Sequence, residues 1–162
     1  MKERRGEVSV RLGGLLLAAT LIFAIVLNIR HVYQVTDMVI DKTNAAVLAV
    51  ASANAPLVYG GAREGEAVSR NYADPHWNRY VTTGEVSDAL LVALGGVRSG
   101  STIRKNGSFS LLRLQTQYVN SDGGALNFRT TFDLNISLMA GGPVPLSVTR
   151  QIEVKTTYEP KF

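Results

Sequence analysis

The sequence predicts an α+β protein. A long N-terminal transmembrane helix is followed by a small domain with one short helix and a C-terminal antiparallel meander of three to four strands. Three observations predict this class. Residues 12–29 form an uncharged apolar run, and residues 30–55 contain neither Gly nor Pro that would end a helix. In the last third of the chain, the spacing of apolar residues changes from 3.6 to 2.

The apolar run is long enough to cross a bilayer. At about 1.5 Å of rise per residue, about 18 helical residues just span the hydrocarbon, and the flanking Arg11 and Arg30 can reach the headgroups. Lys2, Arg4 and Arg5 precede the run. Because basic flanks stay on the cytoplasmic side, we expect the N-terminus inside and the rest of the chain outside. A cleaved secretory signal is disfavoured, since no small-x-small site closes the run.

The helix is expected to continue beyond the membrane and to end near Ala55, because Pro56 follows. Counted from about Val8, it would have roughly 45 to 48 residues and a length of about 70 Å. Its outer half carries a face of small residues, which allows close approach of another helix or sheet. An Ala-rich helix that covers its own domain explains this face equally well. The small residues are Ala45, Ala46, Ala49 and Ala53.

The connector from residue 56 to 82 has no clear period, and a short helix is predicted next. Thr82 and Glu85 form a capping box, in which each side chain satisfies a free backbone amide. Gly95-Gly96 ends the apolar stripe that follows, so the helix should cover residues 83–94.

Strict alternation of apolar and polar residues predicts a half-buried strand over residues 126–138. Residues 146–158 repeat the even apolar phase, with Arg150 and Thr156 as exceptions, and a third run precedes them at residues 109–119. Short Gly-containing connections predict antiparallel pairing in a meander. The even face would lie under the helices, and odd residues such as Asp133 and Asn135 would face solvent.

Composition excludes several function classes. The net charge of +4 includes the basic N-terminal stub, so it does not indicate a nucleic-acid partner. The chain has no cysteine, His31 lies at the expected membrane exit, and His76 lies in a turn that is more typical of a domain surface than of a metal site. Asp37 and Asp41 lie one turn apart beside a lysine, as on a solvated helix face. We therefore expect no catalytic site, no metal and no cofactor. The aromatic cluster of Tyr72, Trp77 and Tyr80 fits either core or a contact patch.

The arrangement of these segments resembles a known superfamily. A stub ending Arg4-Arg5-Gly6, an apolar anchor continuing into an exported helix, a Gly-rich loop and a C-terminal meander are similar to type IV pilins and pseudopilins. The chain most resembles the TadE-like proteins of tight-adherence pilus systems, whose N-termini also read Arg-Arg-Gly before the anchor. The resemblance covers the whole chain in architecture and residues 4–29 in motif.

This resemblance implies that a prepilin-type peptidase cuts after Gly6 and leaves Glu7 as the new N-terminus. The family's usual glutamate at the fifth mature position, which neutralises a neighbour's amino terminus, would fall on Arg11. A cation cannot perform that role. Either Glu7 pairs with Arg11 one turn away within the chain, or the protein is a minor or uncleaved subunit.

The expected function is that of a non-enzymatic pilin-like subunit of a type IV pilus-like, secretion or conjugation machine. Its partners would be the membrane and other pilin-like subunits or copies of itself. The alternative is a signal-anchored monomeric binding module at the cell surface. The expected regions are a cytoplasmic stub at 1–11, an anchor at 12–29, an exported helix at 30–55 and an extracytoplasmic domain at 56–162. The residues expected to mediate helix assembly are Arg11, Gly13, Gly14, Ala18, Ala46, Ala49 and Ala53.

Overall fold

The fold is seen in a computed structural model that describes residues 2–59, 77–105, 107–122, 125–138 and 146–159. Within these ranges, the side chains of residues 2–9, 57–59 and 122 are not described. In these ranges, three helices are followed by five strands, in agreement with the α+β class, although only the first and third helices were predicted. The helices are α1 (Lys2–Tyr59), α2 (Trp77–Tyr80) and α3 (Thr83–Leu94), and the strands are β1 (Val97–Ser99), β2 (Thr102–Lys105), β3 (Phe109–Asp122), β4 (Ala125–Ser137) and β5 (Ser147–Tyr158).

Helix α1 is a single continuous helix of 58 residues, longer at both ends than predicted. It begins at Lys2 instead of near Val8, and it ends at Tyr59 instead of near Ala55. Pro56 lies inside it. Proline lacks the N–H that would bond to the carbonyl of Ser52, but its ring holds φ at a helical value, so the last turn can continue past it.

The prediction for α3 is confirmed in both its bounds and its capping. The Thr82 side chain accepts a hydrogen bond from the Glu85 N–H, and the Glu85 side chain accepts one from the Thr82 N–H. At the other end, Gly95 adopts the left-handed φ of 60°, and its N–H donates to the carbonyl of Val92 at 3.1 Å. Glycine takes this conformation without steric cost, which ends the helix sharply.

The sheet is an antiparallel meander in the order β1-β2-β3-β4-β5. The meander was predicted, but the expected three to four strands become five because β1 and β2 form an additional short hairpin. Ser99 pairs with Thr102 across a two-residue turn whose Gly100 has a φ of 61°. Strands of three and four residues are too short to show a period of 2 in the sequence.

The core lies between the even face of the sheet and the second half of α1, with α3 beside it. Phe132, Leu134 and Ile136 on β4 are at most 1% exposed and belong to one cluster with Val35 and Val39 of α1. The predicted phase of β4 is therefore confirmed. Thr156, an exception in the β5 pattern, is buried as well, and its hydroxyl donates to Asn44 Oδ1 at 2.7 Å.

A second part of the core surrounds Trp77, which is 2% exposed. Its ring meets Phe128 edge to face, with centroids 6.2 Å apart. Of the two interpretations left open for the aromatic cluster, Trp77 therefore belongs to the core. Tyr80 is partly buried and packs against the core cluster around Trp77, and Tyr72 lies outside the described residues.

The expectation that Asp133 faces solvent is wrong, since this residue is only 7% exposed. The register of β3 against β4 shifts between Leu112 and Gln115, and Arg113 in this bulge has a φ of 54°. The Arg113 guanidinium pairs with the Asp133 carboxylate and covers it. Removing Arg113 would leave the buried Asp133 carboxylate without this ion-pair partner, and removing Asp133 would break the same pair. Asp133 is therefore not expected to tolerate substitution as a surface residue does.

Candidate membrane anchor and helix assembly face

Helix α1 has an uncovered first half and a covered second half. From Val10 to Ile29 every described residue is exposed except Asn28, which is partly exposed. The large apolar side chains in this stretch expose between 45% at Leu27 and 76% at Val10. The domain's core begins only a few residues later, with Val35 at 8% exposure. The chain thus holds an apolar helical surface that its own domain does not cover.

Among the described residues, one helix is long and apolar enough to cross a membrane, and it is this one. The polar side chains within its apolar stretch are satisfied locally. The Thr20 hydroxyl donates to the carbonyl of Leu17 at 2.8 Å, and the Asn28 amide donates to the carbonyl of Ala24 at 2.9 Å. Such internal bonds are what polar groups need where no water is present.

The predicted processing residues Gly6 and Glu7 both lie in the helical backbone of α1. Arg11 is exposed at the start of the apolar stretch, and Arg30 is exposed at its end. The Glu7 side chain lies outside the described residues, so the predicted Glu7–Arg11 pair stays a prediction.

The predicted assembly face in the anchor is open on its surface. Apart from the adjacent residues and the nearby backbone of α1 itself, no described atom lies within 4 Å of the position that a Cβ would take at Gly13 or Gly14. Ala18, one turn after Gly14, is exposed. A neighbouring helix could therefore approach the backbone of α1 closely here, because no side chain in the described part of the chain blocks it.

The small residues in the second half of α1 lie in two different environments. Ala46 is 3% exposed and packs into the core that α1 forms with the sheet. The expectation that it belongs to an assembly face is therefore wrong in the described structure, because its own domain already covers it. Ala45, Ala49 and Ala53 remain exposed on the other side of α1. Covering of the chain's own domain therefore explains Ala46, whereas an assembly role for the exposed alanines stays a prediction.

A groove lies where α1 leaves the apolar stretch and meets the ends of β4 and β5, and it was not predicted from the sequence. Its volume is about 630 Å³ and its walls are mostly apolar. Arg150, already noted as an interruption of the apolar phase, was the available signal, but the facing residues could not be known. The lining residues are Ile25, Asn28, Ile29, Val32, Tyr33, Leu138, Leu146, Val148 and Arg150.

Among the residues that the structure describes, polar side chains elsewhere do not converge on a reactive site. Asp37 and Asp41 are exposed on α1, in keeping with a solvated face. Within the described ranges, no three His, Cys, Asp or Glu side chains come together in a way that could hold a metal ion. Comparison of the chain with protein-family models, curated proteins and solved structures finds no match.

Proposed function

We propose that this protein is a membrane-anchored, pilin-like subunit that assembles through the exposed half of α1 in a type IV pilus-like or secretion machine. Its N-terminus lies in the cytoplasm and its sheet domain lies on the opposite, extracytoplasmic side. The role is structural and requires no catalysis. The observation that carries the proposal is the unbroken helix that joins an uncovered apolar half to a half packed on the sheet.

A continuous helix couples the anchor rigidly to the domain. Val35 and Thr36 are already buried against the domain, so only a few helical residues separate the core from Arg30. A binding module that acts alone gains nothing from this rigidity, since a flexible linker would let it search for its target. In an assembly, rigid coupling means that helix packing in the membrane also determines where each outer domain lies.

The exposed glycines supply a means of association. Helices in lipid gain little from burying apolar surface against each other, because lipid tails are equally apolar. Close packing at small residues drives their association instead, and Gly14 and Ala18 have the small-xxx-small spacing. The resemblance of residues 4–29 to the TadE-like N-terminus points to the same use of this helix.

Crosslinking of the full chain in the membranes of its native host tests the proposal. An amine-reactive crosslinker can use Lys42, which is exposed on the outer half of α1. We expect the chain in species of higher mass, and also in the surface material removed by shearing. A chain that stays monomeric at its native abundance, and is absent from sheared material, would contradict assembly and favour the signal-anchored binding module.

Processing gives an independent prediction. We expect a prepilin-type peptidase to cleave after Gly6, so that the membrane-extracted protein begins at Glu7. Intact-mass spectrometry of the protein from cells with and without the peptidase measures this directly. The control is a Gly6→Leu variant, which should keep residues 1–6. An intact N-terminus on the unaltered chain in cells that contain the peptidase would show that the protein is an uncleaved subunit.

A further inference from the structure

The groove beside α1 lies at a definite height along the helix. Strand β5 rises alongside α1, since Thr156 bonds to Asn44 at the upper end and Val148 lines the groove at the lower end. The six residue steps from Thr156 down to Arg150 cover about 20 Å, which equals the rise of about 13 residues of helix. Arg150 therefore lies at about the level of Val32, which lines the same groove.

The lower end of the groove reaches below the end of the apolar run. Leu146 lies four residues before Arg150, or about 13 Å lower along the strand. It lines the groove together with Ile25, and it is 53% exposed. Ile25 precedes Ile29, the last residue of the run, by about 6 Å of helix rise. In a bilayer crossed by residues 12–29, the lower groove wall is therefore surrounded by acyl chains.

Arg150, the one cation among the described residues that line the groove, lies on the other side of that boundary. Val32 follows Ile29 by about 5 Å of helix rise, and the headgroup layer of a bilayer is about 5 to 7 Å thick on each side. Arg150 thus lies at the depth of lipid phosphates. Its guanidinium has no hydrogen bond or ion pair with another group in the described part of the chain.

We propose that this groove binds one phospholipid of the outward-facing leaflet. Its acyl chain lies between Ile25, Ile29 and Leu146, and its phosphate accepts hydrogen bonds from Arg150. Apolar walls below and a cation about 10 Å above match the two parts of a phospholipid in both chemistry and spacing. This inference rests on the membrane anchor in the proposed function, and it does not depend on assembly into a filament.

Native mass spectrometry of the full chain, released from detergent micelles doped with phosphatidylglycerol, tests the proposal. We expect one retained lipid per chain. Arg150→Gln should lower the retained fraction about fivefold, because an arginine near a lipid phosphate contributes about that factor. Arg150→Lys should restore part of it. The control Lys155→Gln removes the same charge from an exposed position farther up β5 and should change nothing.

A second variant tests the apolar part of the groove. Val148→Trp should fill the space between β5 and α1 and expel the lipid while Arg150 is intact. Equal lipid retention in the unaltered chain, Arg150→Gln and Val148→Trp would overturn the proposal. A lipid-free dimer that Arg150→Gln and Val148→Trp both abolish would also overturn it, because a second copy would then occupy the groove.

Carbonate extraction of native membranes that contain the full chain distinguishes failure of the lipid-binding proposal from failure of the membrane anchor on which it rests. A chain that resists extraction but retains lipid independently of Arg150 is anchored and lacks the lipid site. A chain that carbonate extracts lacks the membrane anchor itself, and both proposals then fail.

Discussion

Replacing Gly14 and Ala18 together by leucine is expected to abolish the crosslinked species of this protein in native membranes. The two residues lie one turn apart on an open surface of α1, where a partner helix could approach the backbone. Two leucine side chains would hold the partner away and remove the close packing on which association in lipid depends. Insertion should be unaffected, because leucine is favourable in hydrocarbon. The measurement is the yield of crosslinked oligomer at equal protein abundance.

The matched control for this double variant is Ala19→Leu. Ala19 is the neighbour of Ala18, is equally exposed and lies about 100° around the helix from it. It receives the same chemical change on a surface that should face lipid. Unchanged oligomer yield in the double variant would contradict an assembly role for this face. Equal loss in Ala19→Leu would show that added bulk anywhere in the anchor is harmful.

The second large effect is expected in the core of the sheet domain. Phe132→Ala should lower the free energy of unfolding by about 3 to 5 kcal/mol, and Ile136→Ala by about 2 to 5 kcal/mol. Both side chains are at most 1% exposed, and β4 pairs with strands on both sides, so the sheet cannot easily collapse into the cavity. Guanidinium titration of the full chain in detergent micelles measures the loss.

The fluorescence of Trp77 reports this unfolding specifically. It is the only tryptophan of the chain, and it packs edge to face on Phe128 in the sheet domain. Gln151→Ala, on the exposed face of β5, is the control and should change the free energy by less than about 0.5 kcal/mol. Similar losses for Gln151→Ala and Phe132→Ala would mean that the register of the sheet is wrong.

The sequence by itself determined the elements whose signals are local. A capping box and a following Gly pair define α3 because both act on backbone groups within a turn of the helix. The alternation in residues 126–138 fixes which side chains of β4 share a face, since successive residues of a strand must point to opposite sides. The uncharged run of residues 12–29 likewise needs no partner to be recognised as apolar and long.

Only the tertiary structure decided which surfaces of the helices and strands are covered. Ala46 and Ala49 look alike in sequence, but the sheet buries the first and leaves the second exposed. Asp133 is covered because a bulge places Arg113 over it, and the groove exists because the β5 end lies beside the end of the apolar run. Periodicity and capping act between near neighbours in the chain and can be recognised in the sequence. Burial depends on segments that are far apart in the chain, so it could be determined only from the tertiary structure.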